Sequence, residues 1–527
     1  MTPDLRRKPV RAAARARAVP KSFPAPTRGW VTSESFALDG PGGATVLENF
    51  FPTARGIRPR GGLFRHATIA GGVSSLMAWR SGTIERIFAS DATAVYDVTA
   101  PADPAVAPAP LVSAQTSGVY ASTMFSTSGG DFLVAVNGTD AHLVYDGSAF
   151  AAGTPAVTGV DTAGLSYVWV FKNRLFFIEK DTMNAWCLPV DSLGGAAAQI
   201  ALSGVFRKGG SLLFGVTWSV DAGDGMDDVC VFVSTTGELA AFAGTDPADP
   251  AAWALVGTYD IGQPLGPQAH FRAGGDVIIA TLDGLIPLSA AKQKDPAALS
   301  LASVAGAIGE EWRAEAVARR SSRAWTCVKW VARNMAIVGL PTVGAAEVCC
   351  FVVNLLTGAW AKYTGWDVSC AVEAGSLVHV GTPSGGVFIA EGGGSDDGEP
   401  YFSTFVGRFD HLGNQASAKT AVLARTTWLC RKPVNPRVSC SFDHVPSLPP
   451  FPSAAVHPDL DLWDVGEWDA ALWDSSSAQR IVTRWVSVAG TGFALAPNVQ
   501  LTNSHTAPPE AELVSVDLLY EPGGLAA

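Results

Sequence analysis

Charge is scarce in this sequence, and it contains no long apolar run. Asp, Glu, Lys and Arg together supply only 16% of the 527 residues, whereas hydrophobic residues supply 48%. No stretch comes near the eighteen or so consecutive apolar residues that a membrane span requires. We therefore expect a soluble protein that does not insert into a membrane.

The cysteines lack any spacing that indicates chemistry. None of the eight belongs to a CxxC pair or to a zinc-finger pattern, and several lie in strand-like apolar runs such as AEVCCFVVN. We expect them to be small buried hydrophobic residues in a reducing cytoplasm. They are Cys187, Cys230, Cys327, Cys349, Cys350, Cys370, Cys430 and Cys440.

Motifs for catalysis and metal binding are also missing. The string GTPSGG at 381–386 is not a Gly-x-Ser-x-Gly elbow, and the eight histidines form no HExxH. Neither GxxxxGK[ST] nor a GxGxxG that opens a helix is present to hold phosphate. The acidic loop DAGDGMDD at 221–228 lacks the ligand alternation and the distant Glu of a calcium loop. We predict a protein that is not an enzyme, with no catalytic residue, metal site or cofactor.

The basic residues are concentrated at the amino terminus. Residues 1–28 contain eight Lys and Arg residues against Asp4 alone, a balance of +7, so the rest of the chain sums to −18 and the whole chain to −11. An acidic body repels nucleic acid at ordinary salt, which argues against sequence-specific DNA binding. The arm, with Arg6, Arg7 and Arg11, is a candidate for contact with phosphates or an acidic neighbour; a disordered Ala/Arg-rich tail is the alternative.

Turn residues and β-branched residues are abundant. Gly (55) and Pro (34) supply about one residue in six, and from residue 73 short apolar stretches alternate with Gly, Asp, Asn or Pro. Asn137-Gly138 and Asp146-Gly147 are strong hairpin signals, because they supply the positive φ angles of tight turns. The same pattern returns in YVWVFKNRLFFIEKD, VCVFVSTTGELAAFAG, DVIIATLDGLIPLSA and SLVHVGTPSGGVFIAEGG. This repeat of pattern predicts an all-β fold with a β-propeller, favoured over a sandwich.

The composition divides the chain into three parts, with one helix inside the second. ASVAGAIGEEWRAEAVARR has an apolar residue every four positions, which predicts a single inserted helix near 302–320, packed by Trp312. The predicted parts are a basic, Pro-rich, extended arm and strap (1–70), a β-propeller (71–395) and a second, antiparallel β-domain (396–527).

A Gly-rich acidic stretch marks the predicted boundary between the two domains. GGGSDDGEP, at 392–400, has the composition of a flexible linker. Asp396, Asp397 and Glu399 resemble paired catalytic carboxylates, but nothing apolar in such a linker would raise a pKa for acid/base work. We therefore predict a flexible breakpoint without catalytic function.

A Trp-Asp pair recurs every five residues in LDLWDVGEWDAALWDSS. Five residues reverse the side of a strand and turn a helix by roughly 140°, so the rings share neither kind of face. We expect them to fasten a looped segment onto a sheet or to face a neighbouring subunit, since interfaces are rich in aromatic residues; a carbohydrate platform is the alternative. The candidate packing or assembly tryptophans are Trp463, Trp468, Trp473 and, near the amino terminus, Trp30.

Several strings, taken in order, resemble the tail nozzle (tail tubular) proteins of short-tailed bacteriophages. The amino-terminal part of the likeness is PAPTRGWVTSESFAL followed by VLENFFPTARGIRPRGG, with Asn49 to Pro52 and the Arg-x-Arg-Gly stretch of Arg58, Arg60 and Gly61. Further strings are FVSTTGELAAFAGTDPADPAAWALVGTYDIGQPLG, FVVNLLTGAWAKYTGWD and the closing WVSVAGTGFALAP. The resemblance spans nearly the whole chain, although residues 1–20 match it poorly.

The resemblance implies a structural virion protein with a β-propeller and a second β-domain. Six copies are expected to form a ring below the portal and the head-tail adaptor, next to tail fibre or spike proteins, and to retain and later release the packaged genome. The protein is then located in the virion tail after assembly in the bacterial cytoplasm. An acidic wall suits DNA that must slide without sequence-specific binding, and the Pro-rich arm suits a strap that orders on a neighbouring subunit.

Two other functions remain open. A propeller glycosidase or carbohydrate-binding tail protein would need clustered carboxylates or stacked tryptophans around a pocket, and no Ser-x-Asp-x-Gly-x-Thr-Trp box of the sialidase kind is present. A receptor-binding tail tip would be expected to carry the repetitive shafts or coiled coils of fibres, which are missing from the sequence.

Overall fold

The computed structural model describes residues 18–32, 42–219, 228–249, 251–293, 296–322, 324–430, 434–454, 480–505 and 508–525. Six of the seven candidate site residues, namely Arg6, Arg7, Arg11, Trp463, Trp468 and Trp473, lie outside these residues, as does most of the acidic loop at 221–228. In the described part of the chain, no helix is long and apolar enough to cross a membrane.

The amino-terminal part is extended, as predicted. Its strands are β1 (Val19–Pro24), β2 (Ala44–Glu48), β3 (Phe50–Pro52), β4 (Ile57–Pro59) and β5 (Gly62–Thr68). The last strand of the chain, β39 (Ala511–Leu525), pairs antiparallel with β1, from Val19 opposite Tyr520 to Pro24 opposite Ser515. Residues 19–24 therefore pair with a strand of their own chain, and the ordering of the arm on a neighbouring subunit stays a prediction.

Three four-stranded antiparallel sheets follow, each built from consecutive hairpins. Blade 1 consists of β6 (Ser75–Ser81), β7 (Ile84–Ser90), β8 (Val95–Asp97) and β9 (Pro110–Val112). Blade 2 consists of β10 (Ala121–Thr127), β11 (Gly130–Val136), β12 (Leu143–Tyr145) and β13 (Phe150–Ala152). Blade 3 consists of β15 (Leu165–Phe171), β16 (Arg174–Glu179), β17 (Asn184–Cys187) and β19 (Ala198–Ala201). Beside it, the short β14 (Val157–Thr158) pairs with β18 (Gly195–Ala196). A 3-10 turn at Thr162–Gly164 precedes β15.

Four further blades complete the series. Blade 4 consists of β20 (Leu212–Trp218), β21 (Val229–Ser234), β22 (Glu238–Gly244) and β23 (Trp253–Asp260), and blade 5 of β24 (His270–Ala273), β25 (Asp276–Thr281) and β26 (Gly284–Pro287). Blade 6 consists of β27 (Thr326–Trp330), β28 (Met335–Gly339), β29 (Cys349–Asn354) and β30 (Trp360–Thr364), with a 3-10 turn at Val331–Arg333. Blade 7 consists of β31 (Cys370–Ala374), β32 (Leu377–Gly381) and β33 (Gly386–Gly393), to which β5 adds the fourth strand.

The hairpin signals of the sequence lie where the blades turn. Gly138 and Gly147 have positive φ and follow β11 and β12, and the Lys172-Asn173 turn between β15 and β16 has positive φ at both residues. Two successive positive φ values match the right-handed twist of the flanking strands. The predicted strand–turn–strand units are therefore confirmed, and the fold is all-β with propeller blades.

The blades form a closed ring. The first strand of each blade packs against the next blade along the chain, and β31 of blade 7 packs against β6 of blade 1. The amino-terminal β5 closes the ring by pairing antiparallel with β33, where Ala67 lies opposite Val387. A strand from the start of the chain thus completes the last blade, which holds the two ends of the propeller together.

A helical insertion replaces the fourth strand of blade 5. It contains α1 (Leu288–Gln293), 3-10 turns at Pro296–Ala302 and Gly306–Ile308, and α2 (Gly309–Ala318). The buried Trp312 ring of α2 packs against Trp325 and Trp360, and its Nε1 donates to Thr281 O at 2.9 Å. The predicted packing by Trp312 is confirmed, but the predicted single helix near 302–320 is a shorter α-helix preceded by 3-10 turns and by α1, because Gly306 and Gly309 interrupt the helical pattern.

The carboxy-terminal strands form two packed sheets. They are β34 (Tyr401–Gly407), β35 (Ser417–Cys430), β36 (Arg437–Phe442), β37 (Arg480–Gly492), β38 (Leu495–Asn503) and β39. One sheet has the order β3-β4-β39-β35-β37, and the other continues from blade 6 as β30-β2-β34-β38-β36. Ala424, Val488 and Leu518 of the first sheet pack against Cys440 and Leu495 of the second. This antiparallel sandwich is the second β-domain that the sequence predicts.

The blade 6 sheet crosses the boundary that the sequence predicts at residue 395. Its outer strand β30 pairs in parallel with β2, at Lys362 and Glu48, and β2 pairs antiparallel with β34. Strands from the arm, the propeller and the sandwich therefore share one sheet.

None of the eight cysteines forms a disulfide, and six are buried, as predicted.

Candidate functional site

The strap fits closely onto blade 6 through Gly29 and Trp30. Gly29 has φ +72°, and a Cβ there would lie 2.4 Å from the carbonyl oxygen of Trp360. Only glycine permits this approach without displacing the blade. The Trp30 ring is 6% exposed and packs edge-on against Phe351, with a centroid separation of 5.6 Å. The structure thus places this candidate residue in the core between the strap and the propeller.

Asn49 connects the strap to both domains. Its Nδ2 donates to Thr364 Oγ1 of blade 6 at 2.7 Å and to Phe402 O of the sandwich at 2.6 Å. Its Oδ1 accepts from the backbone N–H of Thr364 at 2.9 Å and from Arg60 Nε at 2.8 Å. The residue has φ 56°, a left-handed conformation that asparagine tolerates better than most residues. One buried amide therefore fixes three segments of the chain.

Arg60 lies at the centre of this junction and is fully buried. Its guanidinium makes a bidentate pair with Asp396, at 2.8 Å from Nη1 and 2.7 Å from Nη2. The same two nitrogens donate to Gly61 O and Thr364 O. With Nε held by Asn49, all three nitrogens have acceptors, which a buried guanidinium requires.

Aromatic rings enclose the guanidinium of Arg60. Its central carbon lies 3.9 Å from the ring centroid of Tyr401, 5.0 Å from that of Trp366 and 5.7 Å from that of Tyr363. Tyr401 also donates its hydroxyl to Arg60 O, and burial raises the pKa of that hydroxyl. The cation is thus held by ring faces as well as by its carboxylate.

A second buried charge cluster adjoins the first. Glu391 has no exposed side-chain surface and accepts from Arg58 Nη2 at 2.7 Å, Arg333 Nη1 at 3.0 Å and Tyr363 OH at 2.9 Å. Burial works to raise the pKa of Glu391, but the two arginines and the tyrosine hydroxyl outweigh it, so the pKa lies below its usual value. The carboxylate is therefore ionised, and its hydrogen bonds join the strap to blade 6.

The predicted flexible linker at 392–400 is wrong, because its carboxylates have partners far away in the sequence. Asp396 accepts from Arg60 and from the backbone N–H of Leu63 at 3.0 Å, and Asp397 pairs with Arg65. Backbone hydrogen bonds in both directions between Asp396 and Glu399 close a tight turn. Arginines from the start of the chain therefore hold Asp396 and Asp397 in place within this segment.

Arg60, Glu391 and Arg333 were not among the candidate site residues. The available signal was local: Arg58 lies within β4 and Arg60 directly follows it, in a chain where charge is scarce. Buried arginines in such segments are almost always paired. Their partners at 391 and 396 lie more than 300 residues away, and no sequence spacing predicts that pairing.

Two other segments noted in the sequence have structural roles. Asp246 pairs with Arg174 across blades 4 and 3 at 3.2 Å, and the half-buried Trp253 ring stacks on Phe242 with centroids 5.5 Å apart. Asp228, the described end of the acidic loop, is buried and accepts from Ser219 Oγ. The described residues contain no group of three or more His, Cys, Asp or Glu side chains that could hold a metal ion.

Aromatic side chains meet at the inner strands of blades 3 to 5. Phe214 of β20 stacks on His270 of β24 with centroids 4.5 Å apart, and the hydroxyl of Tyr167 on β15 lies 3.3 Å from His270 Nε2. Burial lowers the pKa of His270 to about 4, so the ring is neutral at pH 7. A neutral aromatic cluster at this place packs the propeller and offers no charge for catalysis.

A cavity of about 270 Å³ lies between β1 and the sandwich. Its lining includes Phe23, Phe405 and the ion pair of Lys21 with Asp410, whose charged atoms are 3.0 Å apart. Asp410 is the one carboxylate among the residues that line this cavity, whereas glycoside hydrolysis uses a pair of carboxyl groups.

No protein-family model and no curated protein matches the chain. Among solved structures, the chain is similar to the WD40 β-propeller domain of Doa1 (9% identity, TM-score 0.35, covering 63% of this chain and 97% of that one). It is also similar to the β-propeller domain of Myceliophteria thermophila Cps50 (Swd1) (9%, 0.38, 62% and 99%) and to the computationally designed Ika8 protein (13%, 0.33, 62% and 99%). Likenesses this distant say nothing about function.

Proposed function

We propose that this chain is a structural, non-enzymatic subunit of the tail nozzle of a short-tailed bacteriophage. Six copies form a ring around the channel, below the head-tail adaptor and beside the fibre or spike proteins. The ring retains the packaged DNA and later lets it pass without sequence-specific contact. The subunit is assembled in the bacterial cytoplasm and belongs to the tail of the virion.

One observation carries the proposal: the strings that resemble nozzle proteins meet at one place in the fold. Gly29 and Trp30 pack on Trp360, and Asn49 and Arg60 bond to Thr364. Segments separated by some 300 residues in sequence thus build the junction between propeller and sandwich. This convergence supports the proposal that the chain shares the architecture of nozzle proteins. An accidental likeness of short motifs would not be expected to bring those motifs together in space.

The electrostatics also support a conduit. The chain has a net charge of −11, and the carboxylates that cluster at the junction, Glu391 and Asp396, are buried against arginines. These buried pairs cancel inside the fold. The net negative charge therefore comes from other carboxylates, at the surface of the body. A wall of that sign repels phosphate and removes the counterion-release term that holds proteins on DNA.

Electron microscopy of the purified full-length chain, over a range of concentrations, tests the proposal. Hollow rings of identical subunits, with no hydrolysis of a panel of glycosides, are the expected result. A monomer at every concentration, or turnover of a glycoside, would overturn it. A variant with Leu301→Ser, an exposed side chain on the helical insertion, serves as a control for changes in solubility alone.

A further inference from the structure

A proline-rich strip lies across the outer face of the sandwich. This proline strip, residues 445–453 (VPSLPPFPS), is neither helix nor strand beyond one bridge at Val445. Asn498 Nδ2 of β38 donates to Ser447 O at 3.2 Å, and Thr502 Oγ1 of the same strand donates to Pro452 O at 2.5 Å. Two side chains four residues apart on one strand therefore hold the strip along the sheet.

The spacing of its two anchors and its proline content fit an extended strip with one apolar edge. Its two anchors on β38 are about 13 Å apart at 3.3 Å per residue, and the five residue steps from Ser447 to Pro452 would span about 15 Å in a polyproline II conformation. That conformation has three residues per turn, so Val445, Leu448 and Phe451 share an edge. All three are exposed, at 66%, 41% and 39%. Phe451 also packs against the exposed ring of Phe402, with centroids 4.4 Å apart.

The opposite outer face of the sandwich carries a second exposed apolar patch. Trp485 of β37 is 44% exposed, and the guanidinium carbon of Arg425 lies 4.8 Å from its ring centroid. Arg425 in turn pairs with Asp517. We call this surface the tryptophan face; strand register places on it Leu423, Arg425, Trp485, Ser487, Asp517 and Leu519.

The two patches are suited to each other. The proline strip contains no Asp, Glu, Lys or Arg, and the charges of Arg425 and Asp517 cancel on the tryptophan face. In a chain of net charge −11, copies repel each other except where their surfaces are neutral. A strip about 28 Å long fits along β37, whose thirteen residues extend about 43 Å. Aromatic rings are the usual receptors for proline-rich segments.

We infer that the proline strip of one copy docks on the tryptophan face of the next copy. The inference rests on the proposed function, and it names the contact that builds the ring. The two patches lie on opposite sides of one sandwich, so each copy offers a different surface to each neighbour. Such a head-to-tail contact builds a ring when the rotation from copy to copy closes on itself, whereas a contact between two identical patches stops at a dimer.

Two complementary variants test the contact. Leu448→Ser with Phe451→Ser removes the apolar edge of the strip, and Trp485→Ser removes the ring of the opposite face. Both changes are at exposed side chains, so each variant should melt like the wild type. Each alone should associate at least about thirtyfold more weakly and form no rings, as expected for a central aromatic contact. The control pair, Val119→Ser with Leu301→Ser, changes exposed apolar side chains outside both patches and should form rings normally.

Mixing distinguishes the two faces from each other. An equimolar mixture of the two variants retains one intact contact, from the strip of the Trp485→Ser copy to the tryptophan face of the other, and should yield dimers but no rings. Rings formed by either variant alone, or a mixture that stays monomeric, would overturn this contact. Neither result would contradict the proposal that the wild type forms a ring. A wild type that never forms rings would overturn the proposed function as well.

Cross-linking provides a measurement that keeps the Trp485 ring in place. Leu448→Cys in one copy and Ser487→Cys, on the tryptophan face of another, should form a disulfide between copies under mild oxidation, since the contact brings the strip onto that face. Either variant alone should not form this disulfide. Six of the eight native cysteines are buried, which limits competing cross-links. Equal cross-linking in the separate and mixed samples would contradict head-to-tail docking.

Discussion

Arg60→Ala should weaken the union of the propeller and the sandwich more than any surface change. The substitution removes a fully buried cation, and it leaves Asp396 without its counter-charge and Asn49 Oδ1 with one donor instead of two. Breaking a buried ion pair by removing one partner costs about 3–5 kcal/mol, because the remaining charge stays uncompensated. The free energy of the first unfolding transition should fall by that amount.

Urea unfolding, followed by tryptophan fluorescence, measures the loss. Arg80→Ala is the matched control, because Arg80 is largely exposed and pairs with Glu85 on blade 1, where the expected effect is about 0–1 kcal/mol. Arg60→Lys should also destabilise, since an ammonium cannot reproduce the bidentate pair with Asp396.

The combination of Arg60→Ala with Asp396→Ala tests the coupling directly. The double variant should be less destabilised than the sum of the two single variants, because it removes both charges together. If Arg60→Ala unfolds at the same urea concentration as Arg80→Ala, or if the two single effects simply add, the junction is not held by this pair and the reasoning fails.

Three further changes test other parts of the fold. Trp360→Ala should destabilise by about 3–5 kcal/mol because the ring is fully buried, whereas Trp253→Ala should cost less because that ring is half-buried; equal melting temperatures in the two variants would contradict this order. Burial and the neighbouring His66 ring lower the pKa of His379 to about 4. The stability that the neutral ring contributes to the folded state should therefore be intact above pH 6.5 and lost as the pH falls towards 4. Urea midpoints across that range should fall less steeply in His379→Gln. Deletion of residues 1–28 should lower the melting temperature relative to the full chain because β39 loses its pairing with β1; unchanged melting would refute the pairing.

Local features of the fold could be predicted from the sequence, because their causes are local. The hairpins follow from turn residues that accept positive φ, as at Lys172-Asn173 and Gly147, and from the alternation of short apolar stretches. The helix was predicted less well, because glycines and 3-10 turns shorten it to Gly309–Ala318. Trp312 was nevertheless identified correctly as the residue that packs it.

The long-range features could not be predicted, because their partners are distant in sequence. GGGSDDGEP has the composition of a linker, and only Arg60 and Arg65, more than 300 residues earlier, hold Asp396 and Asp397 in place. The pairing of β5 with β33 has the same property. Composition describes what a segment does when it has no partner, and it is silent about partners elsewhere in the chain.

The closure of the propeller by β5 has a consequence for biosynthesis. Residues 62–68 leave the ribosome early, but their partner strand at 386–393 appears some 320 residues later, and β1 waits still longer for β39. At 5–20 residues per second, the edge of β5 remains unsatisfied for roughly 16–64 s. Late, non-local pairing of this kind is slow and exposes strand edges to aggregation. A nascent subunit therefore passes through an incompletely folded, aggregation-prone intermediate. Its yield in cells should depend on chaperones that shield the edge of β5.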